Sequence, residues 1–359
     1  MRLWPTAPSE RARHVAARAA ALATRVLGGG TDAPAAGALA ARLLDPGRLA
    51  RYDGLALRVR RGMGERHGDR RVPGRPQPSG IEIEAHGAYA PGDDLRHLDW
   101  NALGRLDALL VRRFTAEREV VVHVLLDASA SLAVPVVDDK LGSACELAMA
   151  LAYVALSTGD ALRVAILRGD GIAEDGAAEV GGTTSVRRPV ASDGPASRIF
   201  RQRASVARVA ELLAAVAPQG SFGLGAALAA YAARYRTPGL ALVISDFLME
   251  PDEVERGVLA LRSRGFETHL LHVIGAGELD PTRVFTRGVL VDVESGAQRP
   301  IALTAPALAR YHAALGAHCD ALAALAARVE AGYGQLVAGG DVAELLTGPL
   351  VRAGLVRRR

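Results

Sequence analysis

Residues 120–131 read Val-Val-Val-His-Val-Leu-Leu-Asp-Ala-Ser-Ala-Ser, and no other stretch of the chain constrains its fold as strongly. A near-continuous apolar run of this length predicts a strand covered on both faces, as in a parallel sheet. The run ends in an acid, Asp127, with hydroxyls two and four positions further on at Ser129 and Ser131. The carboxyl ends of such strands open into the crevice where open α/β sheets place their ligands. One loop would therefore project three hard oxygen donors to one place, a set that suits Mg²⁺. The same residues also fit an ordinary strand-to-helix turn, because Asp and Ser cap helix N-termini well.

Composition narrows the class. With 359 residues, half of them hydrophobic, and a net charge of only +4, the chain is expected to be globular and to form about two domains. Arginine supplies nearly all the positive charge, and Lys140 is the only lysine. The pI of 9.4 therefore reflects a residue bias and does not indicate a nucleic-acid partner. Cys145 and Cys319 are the only cysteines, too few for a disulfide framework or a cysteine zinc site. The first residues lack an apolar core and soon become Arg-rich, unlike a secretory signal. The longest apolar helical stretch, 148–156, is too short to span a bilayer. The expectation is a soluble cytoplasmic protein without a membrane span.

Along the chain, helical patterns cover about 9–27 and 35–44. A Gly/Arg/Pro-rich segment then runs over 62–80, with Arg58, Arg60, Arg61, Arg66, Arg70, Arg71 and Arg75 in or near it. Such a run can grip phosphate or meet an acidic partner, and it can equally be a solvated loop. Nucleic-acid binding is disfavoured because no aromatics interleave the arginines. From residue 120 onward strands and helices alternate, which predicts a parallel sheet with crossover helices. Strands are expected at 120–126, 162–167, 186–190, 240–244, 268–274 and 289–293. Helices are expected at 139–157, 200–216, 226–235, 252–264, 305–329 and 342–350.

Asp246 follows the apolar run 240–244 much as Asp127 follows the first one. Two central strands of one sheet would bring both carboxylates to a common rim. The intervening turn Pro218-Gln219-Gly220-Ser221-Phe222-Gly223 offers Ser221 as a further hydroxyl, though a shifted register puts Phe222 there. The Asp127-x-Ser129-x-Ser131 loop with the later Asp246 resembles the metal-ion-dependent adhesion site of von Willebrand factor A domains.

Upstream, the chain reads Tyr89-Ala90-Pro91-Gly92-Asp93-Asp94-Leu95-Arg96-His97-Leu98-Asp99-Trp100-Asn101-Ala102-Leu103-Gly104-Arg105. It continues through Arg112-Arg113-Phe114 to Glu117. This signature resembles the family called domain of unknown function 58, and the likeness extends through Lys140, Ser245-Asp246-Phe247, Glu278-Leu279-Asp280 and Tyr311. Gly87 stands where an Arg is usual, and Leu103-Gly104 replace a Ser-Ala pair. Read by themselves, Asp93, Asp94, Arg96, Asp99, Trp100 and Arg105 form either a fold-stabilising charge network or an interaction surface.

The resemblance implies a von Willebrand factor A-like, mostly parallel α/β sheet flanked by helices over 119–280. A helical extension (1–50) and an irregular or β signature segment with the basic loop (51–118) would precede it, and a C-terminal strand and helices (281–359) would pack on it. It further implies a bound Mg²⁺, or Mn²⁺ or Ca²⁺ in its place, held by Asp127, Ser129, Ser131, Ser221 and Asp246. The implied partners are a MoxR-type AAA+ ATPase and other von Willebrand A-like proteins, and the implied role is non-enzymatic. One rival is a Mg²⁺-dependent phosphoryl-transfer enzyme with Asp127 as nucleophile, but haloacid dehalogenase-type phosphatases, which use such an Asp, carry a second Asp where this chain has Ser129. The other is a basic nucleic-acid module using the arginine segment.

Overall fold

The computed structural model describes residues 33–58, 81–89, 98–106, 108–116, 121–168, 171–173, 199–218, 220, 222–235, 237–291 and 297–359. The helix expected at 9–27, the basic segment 62–80 and the strand expected at 186–190 lie outside them. The chain divides into two units, one formed by 65–119 and the other by the remainder.

The larger unit begins with helices α1 (Ala33–Leu43) and α2 (Pro46–Ala50) and a short strand β1 (Leu55–Leu57). In the smaller unit, β2 (Ile81–Ala88), α3 (Trp100–Leu106) and β3 (Leu110–Ala116) follow in order, and β2 pairs antiparallel with β3. The larger unit resumes with β4 (Val121–Asp127), α4 (Lys140–Thr158), β5 (Ala161–Arg168) and β6 (Gly171–Ala173). Next come α5 (Val206–Ala214), α6 (Leu224–Arg234), β7 (Leu240–Ser245), α7 (Pro251–Ser263) and β8 (Glu267–Ile274). A short turn of helix α8 (Ala276–Leu279) leads to the hairpin β9 (Arg287–Val291) and β10 (Gln298–Ala302). The chain closes with α9 (Ala305–Arg328), β11 (Gly332–Val337), α10 (Val342–Thr347), α11 (Pro349–Arg352) and β12 (Val356–Arg358), which pairs with β1.

The main sheet has the order β11-β8-β7-β4-β5-β6, parallel throughout except for the antiparallel edge strand β6. Every residue of β4, β7 and β8 is buried; the apolar runs of β4 and β7 match that burial directly, whereas β8 also buries Glu267, Thr268, His269 and His272. Alternate residues of β4 feed two cores. Val122, Val124 and Leu126 join α4 and α5 on one face, while Leu125 joins α6, α7 and α9 on the other. From β4 the chain first adds β5 on one side and later β7, β8 and β11 on the other. The order therefore reverses between β4 and β7, whose carboxyl ends lie side by side while the helices that follow them, α4 and α7, pack on opposite faces. That is the switch-point crevice of a doubly wound sheet.

Three differences from the sequence reading have physical causes. First, the C-terminal segment does more than pack on the sheet, because β11 pairs with β8 and continues it across the expected boundary at 280. Second, the helix expected at 342–350 is broken at Gly348-Pro349 into α10 and α11, since proline cannot continue a helix already under way. Third, the stretch 148–156 understates the apolar helix. The segment Val136–Thr158 is long and apolar enough to cross a bilayer, but 78% of its most apolar window is buried inside the fold. Its apolar character is that of a helix buried in the core.

Two results are expected from this packing. A Cβ on Gly225 would lie 2.3 Å from the Glu253 carbonyl, so α6 meets the backbone of α7 there with no room for a side chain. Gly225→Ala is expected to cost about 1–3 kcal/mol through the shift it forces, and an unchanged denaturation midpoint would contradict this. His123, on β4, is buried against Tyr231 and Phe266, with Nδ1 2.7 Å from the Tyr231 hydroxyl. Burial, reinforced by Arg163, pushes its pKa down to about 3. The unfolded chain binds a proton near pH 6.5 that the folded chain refuses, so this group costs stability as pH falls through 6.5 toward 3. The loss between pH 7 and 5 is expected to be about 2 kcal/mol. His123→Gln is expected to flatten that slope in urea titrations, and an unaltered slope would place the acid sensitivity elsewhere.

Candidate functional site

Asp127 is the last residue of β4 and is fully buried. Its Oδ1 accepts the Ser129 N–H at 2.8 Å and its Oδ2 accepts the Ser245 hydroxyl at 2.5 Å. The Ser129 and Ser131 hydroxyls are 2.8 Å apart, both nearly buried, in the turn at 130–133 that follows the strand. Across the crevice, Asp246 follows β7 and is 1% exposed. The acid and hydroxyls read from the first loop and the acid read from β7 therefore meet at one rim. Ser221 lies outside the described residues. Its neighbour Gly220 accepts the Ala130 N–H at 3.0 Å, which ties that turn to the Asp127 loop.

Three participants were not assigned a role from the sequence. Ser245 links the two strand ends, since its hydroxyl donates to Asp127 and accepts the Phe247 N–H at 2.9 Å. Lys140 and Glu278, recorded only as part of the resemblance, complete a buried ion cluster. Lys140 Nζ lies 3.0 Å from Asp246 Oδ2 and 2.6 Å from Glu278 Oε1, with all three side chains at most 1% exposed. Glu278 also accepts the Gly275 N–H at 2.7 Å, and Asp138 accepts the Gly277 N–H at 2.8 Å, binding the loop before α4 to α8. The available signal was compositional: a chain that uses arginine everywhere else has its one lysine here.

Phe247, directly after Asp246, has φ +47°, a costly conformation for an aromatic residue. Hydrogen bonds hold it there, with its carbonyl accepting the Met249 N–H at 2.8 Å and facing His318 Nε2 at 2.9 Å. The strain fixes the direction in which the chain leaves the sheet at Asp246.

The electrostatics are unbalanced. Burial raises Asp127 to about 6, and the nearby Asp246 carboxylate adds to the effect against the hydrogen bonds from Ser245 and Ser129. Burial also raises Glu278, with Lys140 working against it. For Lys140 burial opposes the charge, yet Asp246 and Glu278 outweigh it and hold the ammonium above its ordinary pKa. Two buried carboxylates thus face one buried ammonium and a third, Asp127, lies within electrostatic reach of Asp246, leaving two formal negative charges in excess. Unpaired buried charge is expensive, and a bound cation would relieve it. Among the described residues no group of three or more His, Cys, Asp or Glu side chains is arranged to hold a metal. The donors at this rim are of another kind, two hydroxyls with two flanking carboxylates, all oxygen, and they fit a hard divalent ion.

The other candidate residues lie in the smaller unit. Asp99 is buried and caps α3, its Oδ1 accepting the Asn101 N–H at 3.0 Å and the Ala102 N–H at 3.3 Å. Trp100 is 67% exposed and Arg105 is exposed. Asp93, Asp94 and Arg96 lie outside the described residues.

Fold and site together define an α/β protein with an acidic, hydroxyl-lined rim at the switch point of a mostly parallel sheet. The family model described as "Protein of unknown function DUF58" matches residues 86–318, and the chain belongs to that family. It is 31% identical over 272 residues to the uncharacterized protein Rv1480 of Mycobacterium tuberculosis, covering 74% of this chain and 76% of that one. The uncharacterized protein Mb1516 of Mycobacterium bovis matches to the same extent. Among solved structures it is similar to the conserved hypothetical protein BatB from Bacteroides thetaiotaomicron. That match has 13% identity and a TM-score of 0.36, covering 66% of this chain and 98% of that one. An aerotolerance-related membrane protein from Bacteroides fragilis matches with 15% identity and a TM-score of 0.31, over 59% of this chain and 98% of that one.

Proposed function

We propose that this protein is a metal-dependent protein–protein interaction module of the von Willebrand factor A type, without enzymatic activity. The observation that carries the reading is the convergence of Asp127, Ser129, Ser131 and Asp246 on a rim with two excess negative charges. These four side chains, with Ser221 as a further donor, would hold Mg²⁺, or Mn²⁺ or Ca²⁺ in its place. When bound, such an ion supplies an open coordination position to an acidic side chain of a partner. The chain's own residues do the rest. Ser245 and the Ser129 N–H orient the Asp127 carboxylate, Lys140, itself held by Glu278, orients Asp246, and the strained Phe247 fixes the rim beside them. The partner we propose, on the family resemblance, is a MoxR-type AAA+ ATPase, which this protein would serve as an adaptor in a chaperone-like assembly.

Calorimetric titration of Mg²⁺ and Mn²⁺ into the purified protein tests this. Saturable binding is expected for the wild type and its loss for Asp127→Ala, and the ATPase is expected to bind only with the metal present. A folded wild type that takes up neither ion would end the metal reading.

A further inference from the structure

We infer that Lys140 sets the charge of the rim and thereby its cation affinity: it is a resident ammonium that occupies the Asp246–Glu278 side of the carboxylate cluster and leaves the Asp127 side to one divalent ion. The inference rests on the metal reading above and assigns a determinant to that same site.

Two features make this position unfavourable for a lysine, and a third sets it apart in the chain. The side chain is 0% exposed, so its charge has lost its water. It is the first residue of α4, at the positive end of the helix dipole, where cations are disfavoured. It is also the single lysine in a chain with 43 basic residues. Against these stand two contacts, Asp246 at 3.0 Å and Glu278 at 2.6 Å, from two other elements of the fold. A compact ammonium on a flexible stem can lie between two carboxylates in so enclosed a space, whereas a planar guanidinium needs a wider, fork-shaped site. The consequence is electrostatic. With Lys140 the cluster carries a formal charge of −2, which one divalent ion neutralises. Without it the charge would be −3.

The test is Mn²⁺ calorimetry at fixed pH and ionic strength on the full-length wild type, Glu278→Gln, Lys140→Met and the double variant Lys140→Met/Glu278→Gln. Each is paired with thermal unfolding in EDTA to establish that it is folded. Affinity is expected to follow formal charge. Glu278→Gln should bind about tenfold more weakly than wild type and Lys140→Met about tenfold more tightly, with the double variant close to wild type. Recovery in the double variant is the signature that loss of packing would not produce. If Lys140→Met does not fold, Glu278→Gln and the double variant decide the question by themselves. Equal affinities across folded variants, with the wild type binding Mn²⁺, would overturn the role of Lys140 and leave the metal reading intact. A wild type that binds no Mn²⁺ beside a Lys140→Met that does would overturn the inference, since Lys140 would then exclude the ion instead of leaving it a place, and would end the metal reading with it. Absence of binding in every folded variant would overturn both.

Discussion

Lys140→Met is expected to lower the stability of the metal-free protein by about 3–5 kcal/mol, the usual cost of removing one partner from a buried ion pair. The substitution keeps most of the aliphatic stem, so the loss reports charge. Asp246 and Glu278 would be left buried with no cation between them, next to an Asp127 that already bears the electrostatic cost of Asp246. Removing Glu278 as well should recover much of the loss, because only one of the two carboxylates that faced Lys140 then remains. Lys140→Arg is expected to fall on the destabilised side despite keeping the charge, since the enclosed space between α4, β7 and α8 is fitted to an ammonium. Urea denaturation in EDTA measures all three. A Lys140→Met protein as stable as wild type would mean that the ion cluster contributes nothing to the fold.

Asp127→Asn is expected to move stability and binding in opposite directions. The carboxamide is nearly isosteric with the carboxylate. It can accept the Ser129 N–H and meet the Ser245 hydroxyl, the two contacts Asp127 makes now. What it removes is a charge that burial and Asp246 both disfavour. In EDTA the variant should be more stable than wild type by about 1–3 kcal/mol. The same substitution should abolish any rise in melting temperature on adding Mg²⁺ or Mn²⁺, because half of the excess negative charge is gone. Such a trade of stability for function marks sites held in an unfavourable state by what they bind. A variant less stable than wild type in EDTA would show that the Asp127 carboxylate is a structural cap and no more.

The two apolar runs that became β4 and β7 were legible because burial on both faces demands hydrophobicity along nearly the whole strand; their register was decided by pairing in the assembled sheet. Strand β11 was not legible. Gly332-Tyr333-Gly334-Gln335 has the composition of a turn, and it is a strand only because β8 offers it a hydrogen-bonding edge. A Cβ at Gly332 would lie 1.9 Å from His269 Nδ1, so the glycine that hides the strand from pattern reading is what lets it approach. Strands β1 and β12, three residues each and some 300 apart in sequence, are too short for any periodicity to register. The hairpin partner β10 was obscured in the same way by Pro300 in its middle.

For the site, the sequence by itself determined the local part: a buried strand ending in Asp127, hydroxyls at Ser129 and Ser131 in the next turn, and a second strand-end acid at Asp246. Those are relations between neighbours, fixed by the alternation and burial of a single strand. Which strand ends meet was decided by the reversal of order between β4 and β7, and which charges meet was decided by the fold as a whole. Lys140 and Glu278 are 138 residues apart and reach each other only because α4 and α8 both leave the same rim of the sheet. No local pattern encodes that meeting, since the cost of burying each charge is repaid by a partner that only the assembled sheet supplies.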